Sequence, residues 1–236
     1  MKAAPDTVLS TTHEDYLKNI WHICSSTKSL AGVNELASRM NLSPSTVSEA
    51  VKKLSAQNLV EHSRYSGIRL TAAGRAIALK MVRRHRLLET YLFTALGYSW
   101  EEVHAEAESL EHAVSDRFIA GIDALLNHPT HDPHGDPIPD ADGEIKMEES
   151  VPLSQAPAET ALRVARVSDR ESDVLAYLRE LRILPGTELR ITAKSEVLGL
   201  ITCFLPDSPA PAQKIQITLP IAEAVWVRAE RNADRK

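Results

Sequence analysis

His85 and Glu89 stand four residues apart, and further along His104, Glu108, Glu111 and His112 follow at offsets of 4, 7 and 8. On a helix these spacings put each set on one face, the second within an arc of roughly 100°. Imidazole nitrogens and carboxylate oxygens in one stripe are donors suited to a divalent cation. Carboxylates gathered without a cation among them repel when buried, and a bound metal ion is the natural compensation. With no thiolate in the set, Mn²⁺ or Fe²⁺ fits better than a dedicated structural zinc site. Zn²⁺ still outranks Mn²⁺ at most sites, so selectivity has to come from coordination number and geometry. The plain alternative is a hydrated acidic surface with incidental histidines. There is no His-Glu-x-x-His motif and no Ser or Cys beside a His-acid pair, so the expectation is that the chain is not an enzyme.

Two helices must carry these stripes. The apolar periodicity predicts one from about Thr71 to Leu96, stopped by Gly97, and another from about Trp100 to Leu126. A short connection between them suggests antiparallel packing, which would let the stripes face each other. Asn127 to Asp142 is rich in Pro, Asp, His and Gly and reads as a loop, with His128, His131 and His134 as ordinary loop residues. Glu144 to Pro157 reads as a linker. Beyond it, short β-branched runs (Leu162–Val164, Leu189–Thr192, Ile215–Leu219, Val225–Val227) and one helical piece near Glu171 to Leu181 predict a small β-rich domain.

Upstream of the stripes the chain changes character. Residues 1–86 hold 13 Lys and Arg against 6 Asp and Glu, residues 87–150 hold 2 against 15, and the remainder is nearly balanced. The net charge of -5 therefore hides a basic head on an acidic middle, a division that suits nucleic acid at one end and cations at the other. A helix from Thr11 or Thr12 to about Cys24, a short helix from Val33 to Met40, a turn at Asn41–Pro44 and a helix from Pro44 to about Gln57 make a helix-turn-helix pattern. The last helix opens with the small hydrogen-bonding residues that close approach to base edges requires: Ser43, Ser45, Thr46, Ser48 and Glu49. Lys52 and Lys53 on it, with Arg64 and Arg69 on a following strand pair, can meet phosphates as a wing does. An ordinary three-helix bundle with capping serines is the bland counterpart.

No run of about 18 apolar residues is present, and Met1 to Ser10 lacks a signal-peptide core, so a cytosolic protein with no membrane partner is expected. Cys24 and Cys203 lie far apart, outside any Cys-x-x-Cys pair, and read as packing residues.

The segments Glu14-Asp15-Tyr16-Leu17, Ser45-Thr46-Val47-Ser48, Arg84-His85-Arg86-Leu87-Leu88-Glu89, Val103-His104 through Glu111-His112, and Pro137-Ile138-Pro139 resemble the diphtheria toxin repressor family, in particular its manganese transport regulators. The resemblance runs from about Thr12 to Pro139 and more loosely beyond. It implies a mainly α protein with small β parts: a winged helix-turn-helix DNA-binding domain (1–76), a helical dimerisation and metal-binding domain (77–142), a linker (143–157) and an SH3-like domain (158–236). The implied activity is that of a metal-activated repressor of metal homeostasis genes, binding palindromic double-stranded operators as a homodimer and using no small organic substrate.

The same resemblance partitions the ligands. His85, Glu89 and His104 resemble an ancillary site, which Glu171, or else Asp173, completes from the C-terminal domain. Glu108, Glu111 and His112 resemble the activating site, completed by Asp15. Iron-responsive members carry Met at the Asp15 position and Cys at the Glu108 position. Hard oxygen donors at both favour Mn²⁺, with Fe²⁺ as the alternative and Zn²⁺, Co²⁺ or Cd²⁺ as substitutes in vitro. Some manganese regulators have Glu three residues after the Asp, where this chain has Lys18, so two separated sites are expected rather than a paired-metal one. A metal-trafficking protein without DNA readout is the rival from another class.

Overall fold

The computed structural model describes residues 10–63, 67–206 and 213–230, and the chain divides into two compact units. The first comprises Met1–Arg84 with Pro139–Glu144, the second His85–Ile138 with Ile145–Lys236.

In the first unit, Ser10 caps α1 (Thr11–Thr27), its side chain accepting from the His13 N–H. Tyr16, Leu17, Ile20 and Ile23 form the buried stripe of α1 at the 3.6-residue period. The helix-turn-helix follows from two local signals. Asn41, left-handed at φ 53, closes α2 (Val33–Met40), and Ser43 with Pro44 opens α3 (Pro44–Ala56). Val47, Val51 and Leu54 bury one side of α3. β1 (Val60–Ser63) and β2 (Gly67–Leu70) then pair antiparallel, Val60 opposite Leu70 and Ser63 opposite Gly67. Arg64, expected to meet phosphate, lies outside the described residues.

Thr71 starts α4 (Ala72–Ala95): its hydroxyl accepts from the Gly74 N–H and donates to the Asn58 carbonyl. The single helix predicted over Trp100–Leu126 is two, α5 (Val103–Leu110) and α6 (Asp116–Leu125). The break has a local cause. Ser115 is extended (φ -81, ψ 158) and accepts from the Phe118 N–H, so it caps a new helix. Leu87, Leu88, Leu92, Val103, Ala107, Ile119 and Ile122 form the core of this helical part.

The C-terminal part of the second unit is a six-stranded antiparallel sheet in the order β3-β8-β4-β5-β6-β7. Its strands are β3 (Val151–Pro152), β4 (Ala161–Val167), β5 (Glu188–Ser195), β6 (Leu200–Leu205), β7 (Gln213–Thr218) and β8 (Val225–Ala229). The helices α7 (Ser172–Glu180) and α8 (Leu219–Glu223) complete it. The segment read as a linker is partly inside this domain. Val151 and Pro152 pair with Val227 and Trp226, and Leu153 and Ala156 are fully buried in its core. A two-residue strand is too short to show a period, which is why pattern reading passes over it. Cys203 belongs to that core, where burial pushes its thiol up to about 12, and both cysteines are free. Among the described residues no helix is long and apolar enough to cross a membrane.

Candidate metal centre and DNA-reading face

α4 supplies His85 and Glu89, one turn apart on its buried side, and α5 supplies His104 and Glu108. Glu111 and His112 come just past the end of α5. Glu111 keeps helical angles (φ -59, ψ -28), so its side chain continues the stripe although the regular helix has ended.

The two stripes do meet. His85 Nε2 lies 2.9 Å from Glu89 Oε1 and 3.1 Å from His104 Nδ1, and His104 Nδ1 lies 3.1 Å from Glu89 Oε1. On its other side His85 Nδ1 lies 2.7 Å from Glu111 Oε2 and 3.8 Å from Glu108 Oε1. His112 Nε2 is 3.6 Å from Glu111 Oε1. His85 therefore stands between the two ligand sets rather than within one. Its ring bridges the Glu89 side and the Glu111 side.

Three further donors reach this group that helical spacing does not reveal. Asp169, which follows β4, places Oδ2 3.3 Å from His104 Nδ1. Glu171, expected to complete this set, is the exposed residue preceding α7, and its alternative Asp173 is exposed in the first turn of that helix. From the loop after α6 come Asp132 and His134, both buried, which converge with Glu89. His134, read from sequence as an ordinary loop residue, is 0 % exposed. The loop is anchored by Trp100, whose indole N–H donates to the Pro133 carbonyl over 2.9 Å, an approach between segments far apart in sequence.

The electrostatics of the group ask for a cation. Burial raises the Glu89 carboxyl, but His85 and His104 beside it outweigh burial and hold it at about 2. Burial likewise opposes charge on His104, yet hydrogen bonds to Asp169 and Glu89 push it up to about 10. Desolvation also opposes charge on half-buried Asp169, yet His104 beside it holds its carboxyl far below the usual range. Asp132 goes the other way: burial, then Glu89 and Asp136, push it well up, and Arg86 offsets this only in part.

The residues present also fit a metal ion by a separate criterion. His134 Nε2 lies 2.9 Å from the Trp100 carbonyl, so its N–H donates there and Nδ1 is left with a lone pair. That Nδ1 and Glu89 Oε2 are both buried without a hydrogen-bond partner among the described residues. Buried polar atoms are nearly always satisfied, so two orphans beside one another mark a place for a ligand. All the donors are nitrogen or oxygen.

The candidate DNA-reading face is simpler. Ser43, Ser45, Thr46, Glu49, Lys52 and Lys53 are exposed, and Ser48 is half-buried with its hydroxyl donating to the Pro44 carbonyl over 2.8 Å. The Ser43 hydroxyl accepts from the Thr46 N–H and lies 2.8 Å from the Ser45 and Thr46 hydroxyls, so part of its capacity goes into capping α3. Arg69 is exposed on β2 and paired to Glu61, Nε to Oε2 at 2.9 Å. Asp15 sits half-buried early in α1, in the first unit.

Comparison with known proteins agrees with this division of labour. Residues 8–68 match the family of iron dependent repressor N-terminal DNA binding domains, and residues 71–140 the iron dependent repressor metal binding and dimerisation domain. Residues 151–229 match the FeoA domain. A solved manganese-dependent transcriptional repressor in complex with manganese is 41% identical, covers 92% of this chain and 100% of its own, and superposes with a TM-score of 0.84. The iron-dependent repressor IdeR of Mycobacterium leprae is 29% identical over 94% of this chain and 98% of its own. The diphtheria toxin repressor of Corynebacterium jeikeium is 30% identical over 70% of this chain and 71% of its own. With a DNA-binding head, a buried group of nitrogen and oxygen donors and a small sheet domain in this order, the chain belongs to the diphtheria toxin repressor family of metal-dependent transcription repressors.

Proposed function

We propose that the chain is a manganese-responsive repressor that binds palindromic operators of metal homeostasis genes as a homodimer. The observation that carries this reading is the donor set. Every candidate ligand grouped around Glu89 and Glu111 offers imidazole nitrogen or carboxylate oxygen, and among the described residues no cysteine joins them. Such donors suit Mn²⁺, whereas thiolate or thioether would favour softer ions. A bound divalent cation supplies positive charge that compensates the buried carboxylates and fixes the donors around it.

Glu89 with His85, His104, Asp169, Asp132 and His134 would hold one cation group. Glu108, Glu111 and His112, with Asp15 assigned by family resemblance, would hold the activating one. Because Asp15 belongs to the DNA-binding part of the sequence and the other three to the dimerisation part, occupancy favours the arrangement of recognition helices that reads a palindrome, about one DNA turn apart. The dimer reading is supported by exposed apolar side chains in and just after the last turn of α4 and on α6. Phe93, Leu96, Phe118 and Leu125 are all exposed, Leu125 by 68 %.

Fluorescence anisotropy on a palindromic operator, with Mn²⁺, Fe²⁺ and Zn²⁺ titrated in parallel, tests the proposal. Operator binding should require metal and respond to Mn²⁺ within its physiological range, and Asp15→Ala should remove that response in a chain that still dimerises. An unchanged Mn²⁺ dependence in Asp15→Ala removes the coupling role. The identity with a mycobacterial iron-dependent repressor over nearly the whole chain keeps an iron-responsive regulator as the second reading. A response to Fe²⁺ alone would establish it.

A further inference from the structure

Behind the metal-facing side chains lies a set of contacts that none of the donors explains. Arg86 neighbours His85 on α4 but points elsewhere. It is 5 % exposed, donates to the Pro137 carbonyl, and places Nε 3.5 Å from Asp132 Oδ2 and Nη2 3.3 Å from Asp136 Oδ1. From the opposite side Arg166, on β4, places Nη1 3.6 Å from the same Asp136 oxygen. The Arg166 guanidinium in turn lies over the Trp226 ring of β8, 3.7 Å from its centre. Asp136 is thus gripped by one cation from the helical part and one from the sheet domain.

The loop and the sheet also meet backbone to backbone. The Val167 N–H donates to the His134 carbonyl over 2.9 Å. Between these contacts sits Gly135 at φ +87, where an added Cβ would come within 2.3 Å of the Ala165 carbonyl oxygen and 2.9 Å of the Arg166 Cα. β4 shifts register against β8 between Val164 and Arg166, a bulge that brings its backbone to this point. Only glycine allows so close an approach without moving one partner.

We propose that Gly135, Asp136, Arg86 and Arg166 are positioning residues for the metal group. They clamp the 132–136 loop between α4 and β4, and the clamp fixes three donors at once. His134 and Asp132 are on the loop itself, and Asp169 is on the strand end that the loop holds, two residues past Val167. The clamp rests on the reading of the Glu89 group as a metal site, and it adds a consequence: the sheet domain's grip on the loop sets the affinity of that group. Replacing partners that orient metal ligands typically costs ~10–100-fold in affinity, and losses of that size are expected here.

The test uses the full chain with Arg166→Ala, Arg166→Lys and Gly135→Ala. Amide hydrogen exchange at Val167 is followed without metal, and Mn²⁺ uptake is followed by the electron spin resonance signal of the free ion. Arg166→Ala and Gly135→Ala should speed Val167 exchange and weaken one class of Mn²⁺ site about 10–100-fold, with Arg166→Lys recovering most of both. Val167 exchange equal to wild type in Arg166→Ala and Gly135→Ala would overturn the clamp. Faster exchange with unaltered Mn²⁺ uptake would overturn its role in positioning. If wild type itself takes up no Mn²⁺ at the Glu89 group, it is the metal reading that fails, with Val167 exchange still separating clamp from no clamp. Should Gly135→Ala fold poorly, the Arg166 pair decides alone.

Discussion

The candidate DNA-reading face and the candidate metal group pose opposite problems for neighbouring stretches of one chain. On α3 the working side chains are exposed and short-ranged: Ser43 to Lys53 lie within one helix and its cap, and their partners are one another or solvent. Around Glu89 the corresponding side chains are buried or half-buried, and they come from α4, α5, a loop and the segment after a strand. A reading surface can be specified locally because its ligand arrives from outside. A cation site needs convergence, since several charges must be taken from water together and balanced against each other. The contrast teaches that the first should tolerate substitution piece by piece, and the second should fail as a whole.

The largest effect should come from the centre of the buried group. Glu89→Ala removes the carboxylate that faces His85, His104 and His134. It should abolish Mn²⁺ binding at that group, a loss beyond the ~10–100-fold typical of changes behind the ligands, measured by Mn²⁺ titration. Loss of only one order of magnitude would mean the group is not organised around Glu89. On the exposed face, Lys52→Ala with Lys53→Ala should leave Mn²⁺ uptake untouched. Operator binding should weaken, with a salt dependence shallower by about 2 in the log-log slope if both meet phosphates. An unaltered slope places them off the DNA.

A smaller effect follows from His104, which keeps its proton up to about 10. At neutral pH a cation must displace that proton, so binding releases it and apparent Mn²⁺ affinity rises with pH, by up to about tenfold per unit for one proton. Calorimetry in buffers of different ionisation heat reads the released proton directly, and a pH-independent affinity counts against His104 as a ligand. Smallest of all, Ser115→Ala removes the cap of α6 and should cost about 1 kcal/mol of stability in denaturant unfolding, without altering operator sequence preference.

The same contrast governs what the sequence disclosed. The recognition helix was legible because Asn41, Ser43 and Pro44 act locally. His85, Glu89, His104 and Glu108 were legible because their spacing is helical. Asp132, His134 and Asp169 were not, since a loop and a strand end have no period, and only the packed chain brings them to Glu89. Glu171 and Asp173, the residues the resemblance points to, are exposed at the start of α7, whereas Asp169, two residues before Glu171, reaches His104. The break between α5 and α6 was signalled by Ser115 ahead of Asp116, but continuous apolar periodicity across it outweighed the cap. β6 and β3 went unread, and with them the register of the sheet.

His85 carries one more consequence. A neutral imidazole has a single N–H to place. If Nε2 gives its lone pair to a cation on the Glu89 side, the proton resides on Nδ1, 2.7 Å from Glu111 Oε2, and one oxygen of that carboxylate is engaged as an acceptor. Filling one group thereby edits the donor set of the other, and by thermodynamic reciprocity the influence runs equally in reverse. On the proposed reading, the His85 ring would make occupancy of either group depend on the other.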